Sequence, residues 1–110
     1  MKRLIAPTIY IGAFAAGAVT AAMAATQIAI SQKGREFMPT EITISRGETI
    51  QILNDDGDLL HHSYVESSRF SFDSGDQQPG SKTKITFTEA GDFNVLCAIH
   101  PKMKLLVHVK

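Results

Sequence analysis

The chain has 110 residues, with eleven basic and eleven acidic side chains and therefore a formal net charge of zero. A sequence of this length holds one domain at most. The single cysteine excludes an internal disulfide framework, and no basic tract gives the electrostatic footprint of a nucleic-acid-binding protein.

The first 24 residues have the pattern of a secretory signal peptide. Residues 1–3 are basic at two positions, residues 4–25 carry no charge, and Ala22-Met23-Ala24 fits the small-x-small rule for cleavage. We therefore expect cleavage after Ala24, export to the periplasm and a mature domain of residues 25–110. The apolar run also approaches the length of a membrane span, so an uncleaved membrane anchor is the alternative.

Cleavage would leave an exported domain with one unpaired thiol. It removes Lys2 and Arg3, so residues 25–110 carry nine basic and eleven acidic side chains and a formal net charge of −2. A domain of this size folds around a modest core, and a bound metal commonly stabilises such a domain. Cys97 therefore pairs with another molecule, stays inert in the core or binds a metal.

Apolar and polar side chains alternate through the mature region, which is typical of half-buried β-strands. The expected inward positions are, in chain order, Ile28, Ile30, Ile42, Ile44, Ile50, Ile52, Ile85, Phe87, Phe93, Val95, Cys97, Leu105, Val107 and Val109. Turn-type residues separate these runs, among them Gly34, Gly47, residues 54–58 and Gly80. The pattern predicts an all-β fold, a small antiparallel β-sandwich or barrel.

Cys97, His100 and Met103 follow one another at intervals of three residues near the C-terminus. One tight loop can bring these side chains to a single point, and Pro101 limits the freedom of its backbone. Thiolate, imidazole and thioether are soft ligands that favour copper over calcium or magnesium. Each residue alone also fits a buried thiol, a turn histidine or a core methionine. Their joint spacing in an exported β-chain favours a copper site.

The adjacent His61 and His62 are the candidates for a fourth ligand. Only one of two neighbours in a strand faces the interior. An inward His61 shares its face with Ser63 and Val65, whereas an inward His62 would bring Glu66 inside without a partner. Strand parity therefore favours His61 and leaves His62 as the open alternative.

The arrangement Cys97-x-x-His100-x-x-Met103, with a histidine about 36 residues upstream, resembles the copper site of cupredoxins, the small blue copper proteins. Its intervals of three resemble those of amicyanin more than those of plastocyanin or pseudoazurin. The resemblance covers essentially all of residues 27–110. Further matches to plastocyanin-like and methylamine-utilisation-type cupredoxins are Phe37-x-Pro39-x-x-Ile42-x-Ile44-x-x-Gly47-x-x-Ile50-x-Ile52-x-Asn54, Phe72-Asp73-Ser74-Gly75 and Pro79-Gly80.

This resemblance implies a Greek-key β-sandwich in which His61, Cys97, His100 and Met103 hold one copper ion that cycles between Cu(I) and Cu(II). It implies a monomeric type 1 (blue) copper protein that carries single electrons between redox proteins, such as a dehydrogenase and a cytochrome c. Such encounters are weak and transient. The family commonly has asparagine after the first histidine ligand, so His62 departs from its pattern.

A copper chaperone or copper-buffering protein with the same ligands is the alternative function. The sequence lacks the Met- or His-rich tail that copper scavengers often carry, which favours the electron carrier. Copper enzymes need a second site with further histidines, and strand parity places His62 and His108 outside, so we expect no catalytic activity. Lys102 and Lys104 beside the ligand loop predict a partner with an acidic surface.

Overall fold

A computed structural model describes residues 27–110, which form nine β-strands. The strands are β1 Ile28–Lys33, β2 Glu36–Met38, β3 Glu41–Ile44, β4 Thr49–Asn54, β5 Ser63–Val65, β6 Phe72–Asp73, β7 Lys82–Thr86, β8 Gly91–Cys97 and β9 Lys104–Val109. Within this range no helix has the length and apolar character needed to cross a membrane. The expected signal peptide, residues 1–24, lies outside the described residues, so its cleavage stays a prediction.

The strands form two sheets, in the orders β2-β1-β4-β7 and β3-β9-β8-β5-β6, and the predicted all-β sandwich is confirmed. Two pairs inside it, β1–β4 and β3–β9, are parallel, although the sequence predicted antiparallel strands. The chain crosses between the sheets after β2 and again after β3. Strand β4 therefore returns beside β1 in the same direction instead of continuing a hairpin.

The inner faces of the two sheets share one apolar core, as the period-two pattern predicts. Its members alternate along the strands and are at most 5% exposed: Ile30, Ile44, Ile50, Ile52, Val65, Ile85, Phe93, Val95, Cys97, Leu105, Val107 and Val109. Phe70, Phe87 and Phe93 pack together with ring centroids 5.1–5.9 Å apart. Because a shift of one residue would turn each buried set to solvent, this core fixes the register of the strands.

Strand β8 lies between β5 and β9 and ends at one end of the sandwich. Its last residue, Cys97, pairs with Ser63 of β5, and Leu96 pairs with Lys104 of β9. The loop of residues 98–103 therefore leaves β8 directly beside the start of β5. The fold thus brings the two segments that carry the candidate ligands to the same end.

A tight hairpin turn between β1 and β2 lies near that loop. Lys33 pairs with Glu36, so only Gly34 and Arg35 form the turn, and both have positive φ, 65° and 63°. Two such residues make a type I′ turn, which matches the twist of the flanking strands. The turn places the exposed Arg35 beside His100, Ile99 and Lys102 around one surface depression.

A buried polar network replaces apolar packing near this end of the sandwich. Gln32 donates to Ser63 Oγ and to Gln77 Oε1, both at 2.9 Å, and Ser63 Oγ donates to Gln77 Oε1 at 2.8 Å. The side-chain amide of Asn54 donates to the carbonyls of Leu59 and Gln77 at 2.9 Å. These bonds join the four-stranded sheet to the segments on either side of His61.

On the outer face of the five-stranded sheet, His108 of β9 connects three strands. Its Nε2 lies 2.6 Å from Glu41 of β3, and its Nδ1 lies 2.8 Å from Asp92 of β8. The hydrogen bonds to Glu41 and then to Asp92 raise the pKa of His108 above its usual value. The sequence predicted a solvated surface histidine; the side chain does face outward, but it lies between two carboxylates.

We expect His108 to make stability depend on pH. Because its pKa is raised in the folded state, its contribution is fully present below about pH 6.5, the unfolded value, and is lost as pH rises through the folded value. Urea unfolding of the wild type and of His108→Gln should show a larger difference in unfolding free energy at pH 6 than at pH 9. Equal differences at both pH values would contradict this assignment.

We also expect Asn54→Ala to destabilise the fold by about 1–3 kcal/mol, because it removes the side-chain hydrogen bonds to the Leu59 and Gln77 carbonyls and the acceptor of the Asp56 amide. Asn54 is 1% exposed. The matched control is Asn94→Ala, the same substitution at an exposed position of β8, which should change stability by less than about 0.5 kcal/mol. Equal losses in denaturant unfolding would show that the Asn54 bonds are not what stabilises this region.

Candidate metal centre

The ligand atoms of His61, Cys97 and His100 converge at the end of the sandwich where β8 gives way to the loop of residues 98–103. These atoms all lie within 4.8 Å of one another. Cys97 Sγ is 3.7 Å from His61 Nδ1 and 3.7 Å from His100 Nδ1. The structure thus brings together three of the four residues that the sequence predicted as ligands, and both imidazoles present the same nitrogen.

The spacing of these atoms fits one metal ion. Protein imidazole and thiolate bonds to zinc are about 2.1 and 2.3 Å long, and at a near-trigonal angle such bonds place sulfur and nitrogen about 3.7–3.8 Å apart. The two Sγ–Nδ1 distances match this value. Two imidazoles, one thiolate and a nearby thioether form the donor set of a blue-copper site, so the residues present fit one copper ion.

Burial differs among the four candidate ligands. His61 is fully buried, and Cys97 and Met103 are each 1% exposed. His100 is partly exposed and is the only one of the four that reaches the surface. Met103 lies on the same loop, and its amide donates to the carbonyl of His100 at 2.9 Å. Its role as a weak axial ligand stays a prediction.

The rings of His61 and His62 point in opposite directions. The ring of His61 faces Cys97, as strand parity predicts. The ring of His62 points the other way, with Nε2 2.6 Å from Asp73 and Nδ1 3.5 Å from Asp76. The backbone of His62 connects to the loop of residues 98–103, since the amide of Ala98 donates to the carbonyl of His62 at 2.9 Å.

His61 forms hydrogen bonds with two residues that the sequence did not predict as part of the site. The backbone of Gln77 exchanges hydrogen bonds with the backbone of His61 at 3.1 and 2.7 Å. The carboxylate of Asp56 accepts from His61 Nε2 at 2.7 Å. Partial burial raises the pKa of Asp56, but hydrogen bonds from the Gly34 amide and the His61 ring outweigh it, so that pKa lies below its usual value.

The surface around His100 is apolar with a positive rim. A depression of about 470 Å³ is lined by Arg35, Glu36, Ile99, His100, Pro101, Lys102 and Met103. Ile99 is 42% exposed. Burial, followed by the charges of His61 and Arg35, lowers the pKa of His100, so its ring is neutral and able to bind a metal over a wider pH range.

Comparison with solved structures places this architecture among known proteins. No protein-family model matches the sequence, and no curated protein matches it. Amicyanin from Paracoccus versutus aligns over 82% of this chain and 87% of that chain, with 24% identity and a TM-score of 0.68. A purple cupredoxin from Nitrosopumilus maritimus aligns over 76% of this chain and 100% of that chain, with 22% identity and a TM-score of 0.67.

A larger protein contains a similar unit. The copper-containing nitrite reductase from Thermus scotoductus SA-01 is 28% identical and aligns over 88% of this chain with a TM-score of 0.74. This chain spans only a quarter of that enzyme. The shared element is thus a domain-sized unit and not the whole enzyme. The topology, the clustered histidines and cysteine and these structural neighbours show that the chain has the cupredoxin fold, with a candidate copper site at one end.

Proposed function

We propose that this protein binds one copper ion through His61, Cys97 and His100, with Met103 as a weak axial ligand, and that it carries single electrons between redox partners after export. The observation that carries the proposal is the convergence of two imidazole nitrogens on one buried thiol, each 3.7 Å away. Histidine, cysteine and methionine in this combination suit both oxidation states of copper.

The residues around the site keep its geometry constant. Bound copper supplies one-electron redox chemistry. Cys97 would hold the ion as the thiolate, because a thiol that coordinates a cation is deprotonated. His61 and Cys97 end or flank paired strands, and their burial excludes water from one side of the site. A frame that holds the same ligands in both oxidation states lowers the structural change that accompanies each electron transfer.

Electrons enter and leave through His100. The other three candidate ligands are at most 1% exposed, whereas His100 reaches the surface between Ile99 and Pro101. An apolar surface of this kind allows a partner to approach the ring closely and exclude water. Because turnover needs rapid dissociation, the interface is small and weak.

The rim of this surface favours an acidic partner. Arg35, Lys102 and Lys104 lie exposed around the adjoining depressions, and among the described residues that line them Glu36 is the one acidic side chain. Complementary charge mainly raises the rate of encounter and orients the partner. Arg35 extends the predicted pair Lys102 and Lys104, and it comes from a turn more than 60 residues away in sequence.

The competing functions gain no support from the geometry. Copper delivery needs ready ligand exchange, and the buried Cys97 thiol is poorly placed for attack by a partner's ligands. A second copper site for catalysis needs further histidines. Within residues 27–110 the remaining two, His62 and His108, face away from the cluster and pair with carboxylates.

Copper titration with variants tests the ligand assignment. Adding Cu(II) to the purified protein should produce an intense visible thiolate-to-copper band and an electron paramagnetic resonance signal. Cys97→Ser and His61→Ala should each abolish the band, because each removes a donor from the trigonal set. His62→Ala is the matched control and should retain it, since its ring points toward Asp73.

Loss of the band in His62→Ala but not in His61→Ala would reverse the assignment. Absence of any such band in the wild type would end the electron-carrier proposal. Copper that is released on reduction would instead favour the delivery function.

Charge reversal tests the docking surface. Arg35→Glu, Lys102→Glu and Lys104→Glu combined should slow oxidation of the reduced protein by the anion hexacyanoferrate(III) by about tenfold or more at low salt. Stopped-flow rates at rising ionic strength should converge, because salt screens exposed charges. The control is Lys84→Glu, the same change on exposed β7.

With a cationic cobalt(III) oxidant, the combined rim variant should instead be oxidised faster than the wild type. If Lys84→Glu slows hexacyanoferrate(III) as much as the three rim substitutions together, or if the rates do not depend on salt, electrons do not pass through this surface.

A further inference from the structure

We propose that Asp56 is a positioning residue for the metal centre: its carboxylate holds the proton of His61 at Nε2 and so leaves Nδ1 open toward Cys97. The acidic segment of residues 54–58 has no role in the function as proposed so far. The consequences of this inference for copper rest on that proposed function, whereas its consequence for the His61 ring does not.

The contact is buried and short. His61 Nε2 lies 2.7 Å from Asp56 Oδ2, the His61 side chain is fully buried, and the Asp56 side chain is 10% exposed. An ionised carboxylate only accepts hydrogen bonds, so Nε2 must be the donor. In a neutral ring the other nitrogen then carries a lone pair. That nitrogen, Nδ1, is the one that lies 3.7 Å from Cys97 Sγ.

Asp56 is itself fixed in place. Its second oxygen, Oδ1, accepts from the amide of Gly34 at 3.0 Å, and its own amide donates to Asn54 Oδ1 at 3.0 Å. One oxygen therefore faces the β1–β2 turn and the other faces the imidazole. Because both oxygens have partners, the carboxylate cannot turn away without breaking two hydrogen bonds. The acidic loop thus acts as a rigid support for the ring.

A carboxylate that accepts a hydrogen bond from a ligating imidazole also changes how strongly the ring binds the metal. It makes the imidazole a stronger donor, and loss of such a partner typically weakens metal binding by about 10–100-fold. The extra negative charge favours the more highly charged oxidised ion. Removal of the charge should therefore weaken binding of Cu(II) more than that of Cu(I), which raises the reduction potential.

The first test uses the metal-free protein, because the tautomer of His61 can be read without copper. Long-range ¹⁵N–¹H correlation spectra at a pH where the ring is neutral should show the proton on Nε2 in the wild type. Asp56→Leu has similar size but cannot accept a hydrogen bond, so a substantial share of Nδ1-protonated ring should appear. If Asp56→Leu fails to fold, Asp56→Asn replaces it. The chemical shift of the Nε2 proton should then show that the hydrogen bond from Nε2 to residue 56 is weaker.

The second test measures copper affinity and reduction potential in Asp56→Asn. The control, Asp58→Asn, removes the same charge from an exposed position of the same loop. We expect an affinity for Cu(II) about 10–100-fold lower in Asp56→Asn and a positive shift of the potential. Asp58→Asn should change both quantities much less.

Three results would overturn the inference: a wild-type proton on Nδ1, unchanged His61 spectra in the Asp56 variants, or equal shifts of potential in the two asparagine variants. Failure of the wild type to bind copper would instead refute the proposed function. The spectra of the metal-free protein would still decide whether Asp56 positions the ring.

Discussion

The pairing of the start of β5 with the end of β8 is the constraint on which the site depends. Ser63 pairs with Cys97, and the amide of Ala98 donates to the carbonyl of His62. This contact joins two segments separated by 36 residues and sets the His61 ring 3.7 Å from the thiol. Since β8 is also paired along its length with β9, the cysteine cannot shift without disturbing the central strands of the five-stranded sheet.

The polar interior near the site has a cost that the apolar core offsets. Buried amides and hydroxyls stabilise little unless every group has a partner, but a satisfied network specifies one arrangement. Here Gln32, Ser63 and Gln77 bond to one another across the two sheets, and Gln77 pairs with the backbone of His61; within the described residues the buried Oε1 of Gln32 is the one atom of these three side chains without a partner. The network exchanges some hydrophobic stabilisation for a fixed histidine, which is what a metal centre that must not rearrange needs.

The sequence predicted those features that depend on local alternation, and it missed those that depend on contacts distant in sequence. Period-two patterning predicted the buried faces and the inward directions of Cys97 and His61, while the role of His61 as a ligand stays a prediction. It did not give the parallel pairs, which arise from crossings between the sheets, or the short β2 and β6. Arg35 and Asp56 carry no local signal, because a turn and an acidic loop become part of the site only after the chain has folded.

The central claim is that one preformed set of residues holds copper in both oxidation states. X-ray absorption at the copper edge, on the oxidised and the reduced protein, tests it most directly. We expect two imidazole nitrogens and one short thiolate sulfur around a single ion in both states, with little change in their distances. Additional oxygen or nitrogen ligands on oxidation, or loss of a histidine on reduction at neutral pH, would contradict it.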